Sequence, residues 1–91
     1  MEYSKSDTVN LILERYTLDI LNAVKKQPKR FTELTKYIKN ETTLAAKLNK
    51  LKAHGLIEFV PMKLSDRYVN AYGLSEKGRK IMKELEKINV I

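Results

Sequence analysis

Apolar positions along this chain recur first at helical spacing, later in alternation, and at the end at helical spacing again. In SDTVNLILERYTLDILNAVKK, residues 6–26, Val9, Leu13, Tyr16, Ile20 and Val24 fall every three or four positions. That period predicts one long amphipathic helix over about 7–26, with Asp7 or Ser6 as its N-cap. Leu11 and Leu18 lie on the opposite side of the same helix, seven residues apart. A helix apolar on both sides is either central in a large core or shared between two subunits. A domain this small has little room for the first arrangement, so the second is favoured; scattered exposed leucines are the plainer alternative.

Pro28 breaks the pattern. FTELTKYI then predicts a short second helix with Thr32 as N-cap and Phe31, Leu34 and Ile38 turned inward, although a short strand around Arg30 and Phe31 is an alternative. Asn40 is placed to cap a third helix, Glu41 to His54. Its Leu44, Leu48 and Leu51 share one face, and Gly55 stands where a left-handed C′ residue costs least. LIEFVPMK and RYVNAYGLS read as two strands around a polar LSD break, with Pro61 marking the first as an edge or bulged strand. A last helix over about 76–89, capped by Ser75, carries Ile81, Leu85 and Ile88 on one face with Met82 beside them. Three helices, a hairpin and a final helix make a single small α+β domain over residues 1–91.

Composition narrows the chemistry. The chain has 91 residues, 43% of them apolar, and it contains no cysteine and one histidine. Disulfides, thiol catalysis and zinc or iron–sulfur ligation by cysteine are excluded, and a nitrogen-based metal site has too few ligands. No Ser/His/Asp set and no phosphate-cradling glycine loop is present, so neither an enzyme nor a cofactor is expected. His54 falls in the last turn of the third helix, where a structural role at the helix end is expected. Gly78 is expected to permit close packing of the last helix. No apolar run reaches membrane-spanning length and the N-terminus is too polar for a signal peptide, so the expectation is a soluble, cytoplasmic protein.

Charge changes the picture most. The formal net charge is +7, and its excess is confined to residues 25–52. There Lys25, Lys26, Lys29, Arg30, Lys36, Lys39, Lys47, Lys50 and Lys52 face only Glu33 and Glu41, while bases and acids balance elsewhere. A one-sign block inside a folded region points to a polyanionic partner. The third helix shows how such a partner is met. Its leucines anchor it, and the other side offers Thr42, Thr43, Ala46, Lys47, Asn49 and Lys50. A helix fits the major groove of B-DNA, where base edges present distinguishable donors and acceptors. Threonine, asparagine and lysine supply matching hydrogen bonds, and alanine allows close approach. Arg30, Thr32, Lys36 and Lys39 are placed for phosphate, while Lys63, Ser65 and Arg67 surround the hairpin tip, where a minor groove could be met.

Two helices joined by a short connection and followed directly by a hairpin form a winged helix-turn-helix pattern. The chain here resembles the HxlR-type transcription regulators and, more loosely, the MarR type. The resemblance spans roughly Tyr16 to Leu85. It rests on YTLDILNAVKKQPKRFTEL, on LNKLKAHGLIE, and on AYGLSEKGR, which is similar to that family's Tyr-Ser-Leu-Thr-x-Lys-Gly ending. Tyr16 stands where the HxlR type usually has Trp, the hairpin is short, and Asn-Glu-Thr-Thr replaces the usual Ser-led turn. The resemblance implies a homodimer binding double-stranded DNA at an inverted repeat. Leu11, Leu18, Leu85, Ile88, Val90 and Ile91 are the expected dimer residues. Similar families hold a small-molecule effector, but no residue here demands one. A non-specific architectural protein of the same fold, or a winged-helix protein- or RNA-interaction module, are the alternatives.

Overall fold

The computed structural model describes residues 4–88. The elements run α1 (Lys5–Leu13), α2 (Thr17–Lys26), α3 (Phe31–Leu34), α4 (Glu41–Ala53), β1 (Ile57–Leu64), β2 (Arg67–Leu74) and α5 (Glu76–Lys87). This is the expected α+β winged arrangement with one difference: the long first helix is two helices. Glu14 leaves α1 with extended backbone, and Tyr16 takes a left-handed conformation (φ 71°) as the N-cap of α2. Neither glycine nor proline marks the break. The helix also begins earlier than the sequence suggests. Ser4 is the N-cap, its hydroxyl accepting from the Asp7 amide at 3.2 Å, while the Asp7 carboxylate accepts from the Ser4 amide at 3.3 Å.

Breaking the helix resets its phase. α1 buries Thr8, Leu11 and Ile12, whereas Val9 and Leu13, expected in the core, are 51% and 69% exposed. α2 buries Thr17, Ile20, Leu21, Ala23 and Val24, so the expected stripe holds only at its last two members. Tyr16, also expected inside, lies at the surface.

The core gathers α1, α2, α3, α4 and the base of the hairpin around Ile20, Leu21, Leu34, Leu44, Leu48, Leu51 and Leu56, each essentially inaccessible. α3 is shorter than expected and is capped by Arg30, whose amide donates to the Glu33 carboxylate at 3.0 Å; Thr32 lies inside it. Asn40 caps α4 as expected, its side-chain oxygen accepting from the Thr43 amide at 2.9 Å. The far end closes in a Schellman motif. The Leu56 amide donates to the Leu51 carbonyl and the Gly55 amide to Lys52, with Gly55 at φ 74°.

β1 and β2 pair antiparallel from Ile57 opposite Leu74 to Leu64 opposite Arg67, leaving Ser65 and Asp66 as a two-residue turn. Lys29 bridges the other side of β2 through both backbone bonds to Tyr72, the remnant of the strand considered near Arg30. Pro61 is thus on the outer strand, where its missing N–H is harmless. α5 is capped by Ser75 and buries Gly78 and Met82, with Ile81 and Leu85 only partly covered and Ile88 67% exposed. The buried line therefore runs through Met82, which the sequence placed to one side. Gly78 is essential to the packing: a Cβ there would stand 2.2 Å from the Leu56 carbonyl oxygen. Among the described residues no helix is long and apolar enough to cross a membrane.

Candidate nucleic-acid interface

α4 is gripped on one side by Leu44, Leu48 and Leu51, all at 0% exposure. Complete burial of three leucines is worth several kcal/mol in all, at about 1.5–3 each, so the helix cannot roll without exposing them. The opposite side is therefore fixed as well. Thr42, Thr43, Ala46, Asn49 and Lys50 are all exposed there, as the sequence predicts.

Lys47 is the exception. Its side chain is 11% exposed, and its ammonium donates to Glu14 Oε1 at 2.6 Å and to Thr17 Oγ1 at 3.1 Å. Expected to face DNA, it is instead folded back onto the α1–α2 turn. Lys50, 62% exposed, lies 3.8 Å from the other Glu14 oxygen. The hydrogen bond from Lys47, followed in weight by burial, which opposes it, and by the nearby lysine charges, holds the Glu14 carboxyl below its usual range.

Glu14 and Thr17 were not legible as partners of α4, since they lie 33 and 30 residues away in sequence. Arg15 was missed for the same reason. It is exposed, stacks over the Tyr16 ring at 4.9 Å, and joins Glu14, Thr43, Ala46, Lys47 and Lys50 in lining an open cleft of about 450 Å³ beside α4. The turn thus brings both an acid and a base to the edge of the helix.

The flanking candidates are distributed around this face. Thr32, Lys36 and Lys39 are exposed; Arg30 is half-buried and its guanidinium Nε meets Glu33 Oε1 at 3.3 Å. The backbone N–H of Arg30, more than its side chain, holds the Glu33 carboxyl below its usual range. Lys36 also lies over the Tyr37 ring. On the hairpin, Lys63, Ser65 and Arg67 are exposed, with Ser65 in a left-handed turn conformation (φ 52°). Lys63 stands opposite Tyr68, which is 70% exposed and was not anticipated as a surface aromatic.

The remaining assignments concern surfaces away from α4. His54 is buried at the end of α4, where its Nδ1 is 3.0 Å from the Thr8 hydroxyl and ties that end to α1. Leu11 is 3% exposed within the chain's own core and so offers no surface to a second copy. Leu18 and Leu85 pack partly against that core, Ile88 is exposed, and Val90 and Ile91 lie outside the described residues. Among the described residues no cluster of acids or histidine is arranged to hold a metal.

Comparison with solved structures places this architecture. The diamide-treated YodB from B. subtilis superposes with a TM-score of 0.77 at 23% identity, covering 99% of this chain and 90% of that one. The ytcD protein, a candidate HTH-type transcriptional regulator, gives 0.72 at 24% identity over 97% and 92%. An ArsR-like transcriptional regulator from Rhodococcus sp. RHA1 gives 0.62 at 21% identity over 93% and 78%. No curated protein matches the sequence. Residues 11–90, which include the helix-turn-helix, the wing and all of α5, match the HxlR-like helix-turn-helix profile, and the chain belongs to that family of transcription regulators.

Proposed function

We propose that the chain acts as a homodimer that binds double-stranded DNA with sequence preference and regulates transcription. α4 enters the major groove and the hairpin lies along a neighbouring minor groove. The observation that carries this is the division of α4 into a side locked by Leu44, Leu48 and Leu51 and an exposed side of Thr42, Thr43, Ala46, Asn49 and Lys50. That exposed side has the size and hydrogen-bonding groups to read base edges. Arg30, Thr32, Lys36 and Lys39 meet phosphate, with Arg15 added on the other flank. Lys63, Ser65 and Arg67 approach the minor groove.

The dimer face is assigned to α1 and α5. Val9, Leu13 and Ile88 are large apolar side chains exposed in the isolated chain, and a groove of about 580 Å³ between the two helices is lined by Val9, Ile12, Ile81 and Leu85. Exposed apolar surface of this kind marks an association site. Two α4 helices then reach successive major grooves about 34 Å apart, so the target is an inverted repeat. Selection of bound duplexes from a random pool, with molar mass measured in parallel, tests both halves. A recovered palindrome and a dimer mass are expected; a monomer with no recovered consensus would reject the reading in favour of a non-specific architectural protein.

A further inference from the structure

Building on the DNA-binding reading, we infer that Glu14 is a positioning residue for sequence discrimination, because it withdraws Lys47 from the DNA-facing side of α4 and partly neutralises Lys50. Lys47 and Lys50 are three residues apart on one helix, yet they are treated oppositely. The Lys47 ammonium is enclosed by the Glu14 carboxylate at 2.6 Å and the Thr17 hydroxyl at 3.1 Å, with 11% of its side chain exposed. Lys50 keeps 62% exposure and touches the carboxylate only at 3.8 Å. Thr17 is itself fully buried, so the contact with Lys47 also satisfies a hydroxyl that would be costly to leave unpaired.

The effect on recognition follows from what a lysine does beside DNA. A free ammonium binds any phosphate, and that attraction is independent of sequence. Two free lysines on the reading face would hold α4 to the backbone wherever it landed and dilute the contribution of Thr43 and Asn49. A carboxylate between them removes one cation, tempers the other and repels phosphate from misplaced registers. Glu14 thus lowers affinity for arbitrary DNA more than for the sequence that fits.

The test measures affinity against salt concentration for wild type, Glu14→Gln, Glu14→Asp and Glu14→Gln combined with Lys47→Met, each shown folded by thermal melting. The probes are the best duplex recovered from a random pool and a scrambled duplex of equal length. Glu14→Gln is expected to bind the scrambled duplex about tenfold more tightly and to steepen the logarithmic salt slope by about 1–2, roughly 0.9 for each added phosphate contact. Its preference for the selected duplex falls accordingly. Glu14→Asp keeps the charge and the wild-type slope, and adding Lys47→Met to Glu14→Gln takes back about 0.9 of the added slope, because the released Lys47 ammonium had supplied it. An unchanged slope and preference in Glu14→Gln, or a double variant whose slope is as steep as that of Glu14→Gln alone, would overturn the assignment. Equal loss on both duplexes with lowered melting temperature would assign Glu14 a folding role only, and would also overturn it. Wild-type protein that binds no duplex at low salt would instead reject DNA binding itself.

Discussion

In the proposed complex, Thr43 and Lys50 are the residues on which discrimination rests most directly. Replacing both by alanine should bring binding of the selected duplex down to that of a scrambled one, because each good base contact is worth about 1–3 kcal/mol. Lys36→Ala should weaken all duplexes alike and reduce the salt slope by about one, as expected of a phosphate contact. Mobility-shift titrations on the two duplexes separate these outcomes; parallel losses in both variants would refute the division into reading and holding residues. Beneath them, Leu48→Ala removes a fully buried side chain from the anchor of α4. Denaturant unfolding should register a loss of about 2–5 kcal/mol, and DNA affinity should fall with it.

At the scale of elements, each helix end has its own device, and the device decides how much the end can be changed. Asn40 supplies the side-chain cap at the start of α4, so Asn40→Ala should cost about 1 kcal/mol in chemical denaturation and loosen the very turn that carries Thr42 and Thr43. α3, only four residues long, leans on Glu33, whose carboxylate accepts from the Arg30 amide. Because folding lowers the pKa of this group, its contribution is present above the ordinary value of 4.5 and disappears as pH falls through the lower folded value. Melting temperature should therefore decline on the acid side, and Glu33→Gln should flatten that part of the decline. An acid limb identical in both proteins would show that the cap contributes nothing. The α1–α2 break is held differently. Tyr16 carries a left-handed backbone that costs a side-chain-bearing residue about 1–3 kcal/mol. The gain is that Thr8, Leu11 and Ile12 can face inward on a helix whose angle to α2 is free to be set by packing.

For the whole molecule, the resetting of α1 decides which of its sides is open to the proposed second copy. Leu13 is exposed and Leu11 is buried, so charged substitutions at the two sites should fail in different ways. Leu13→Glu is expected to give a folded monomer by light scattering and to lose cooperative binding to an inverted repeat. Leu11→Glu should unfold the domain outright, since an unpaired buried carboxylate is among the most damaging changes available. A folded dimer with Leu13→Glu would move the interface elsewhere. The intact protein should also lose about 10³ in affinity between 50 and 200 mM salt if roughly six phosphates are engaged. A flat response would separate the basic block from DNA.

What the sequence determined by itself is local: the caps at Asn40 and Ser75, the left-handed stop at Gly55, the two strands around a polar break, and the leucine side of α4. Each depends on residues within a few positions of one another, where backbone sterics and helical or alternating periodicity act directly. That was enough to read the winged fold and which residues of α4 stand exposed opposite its leucines. Tertiary structure decided what depends on distant partners. It broke the first helix at a place with no glycine or proline, because packing rather than propensity set the angle between α1 and α2. It exchanged the inner and outer sides of α1, moving Leu11 into the core and Val9 and Leu13 to the surface. It also folded Lys47 back onto the α1–α2 turn, since an ammonium goes to the nearest carboxylate and hydroxyl, and those came from Glu14 and Thr17 across the fold.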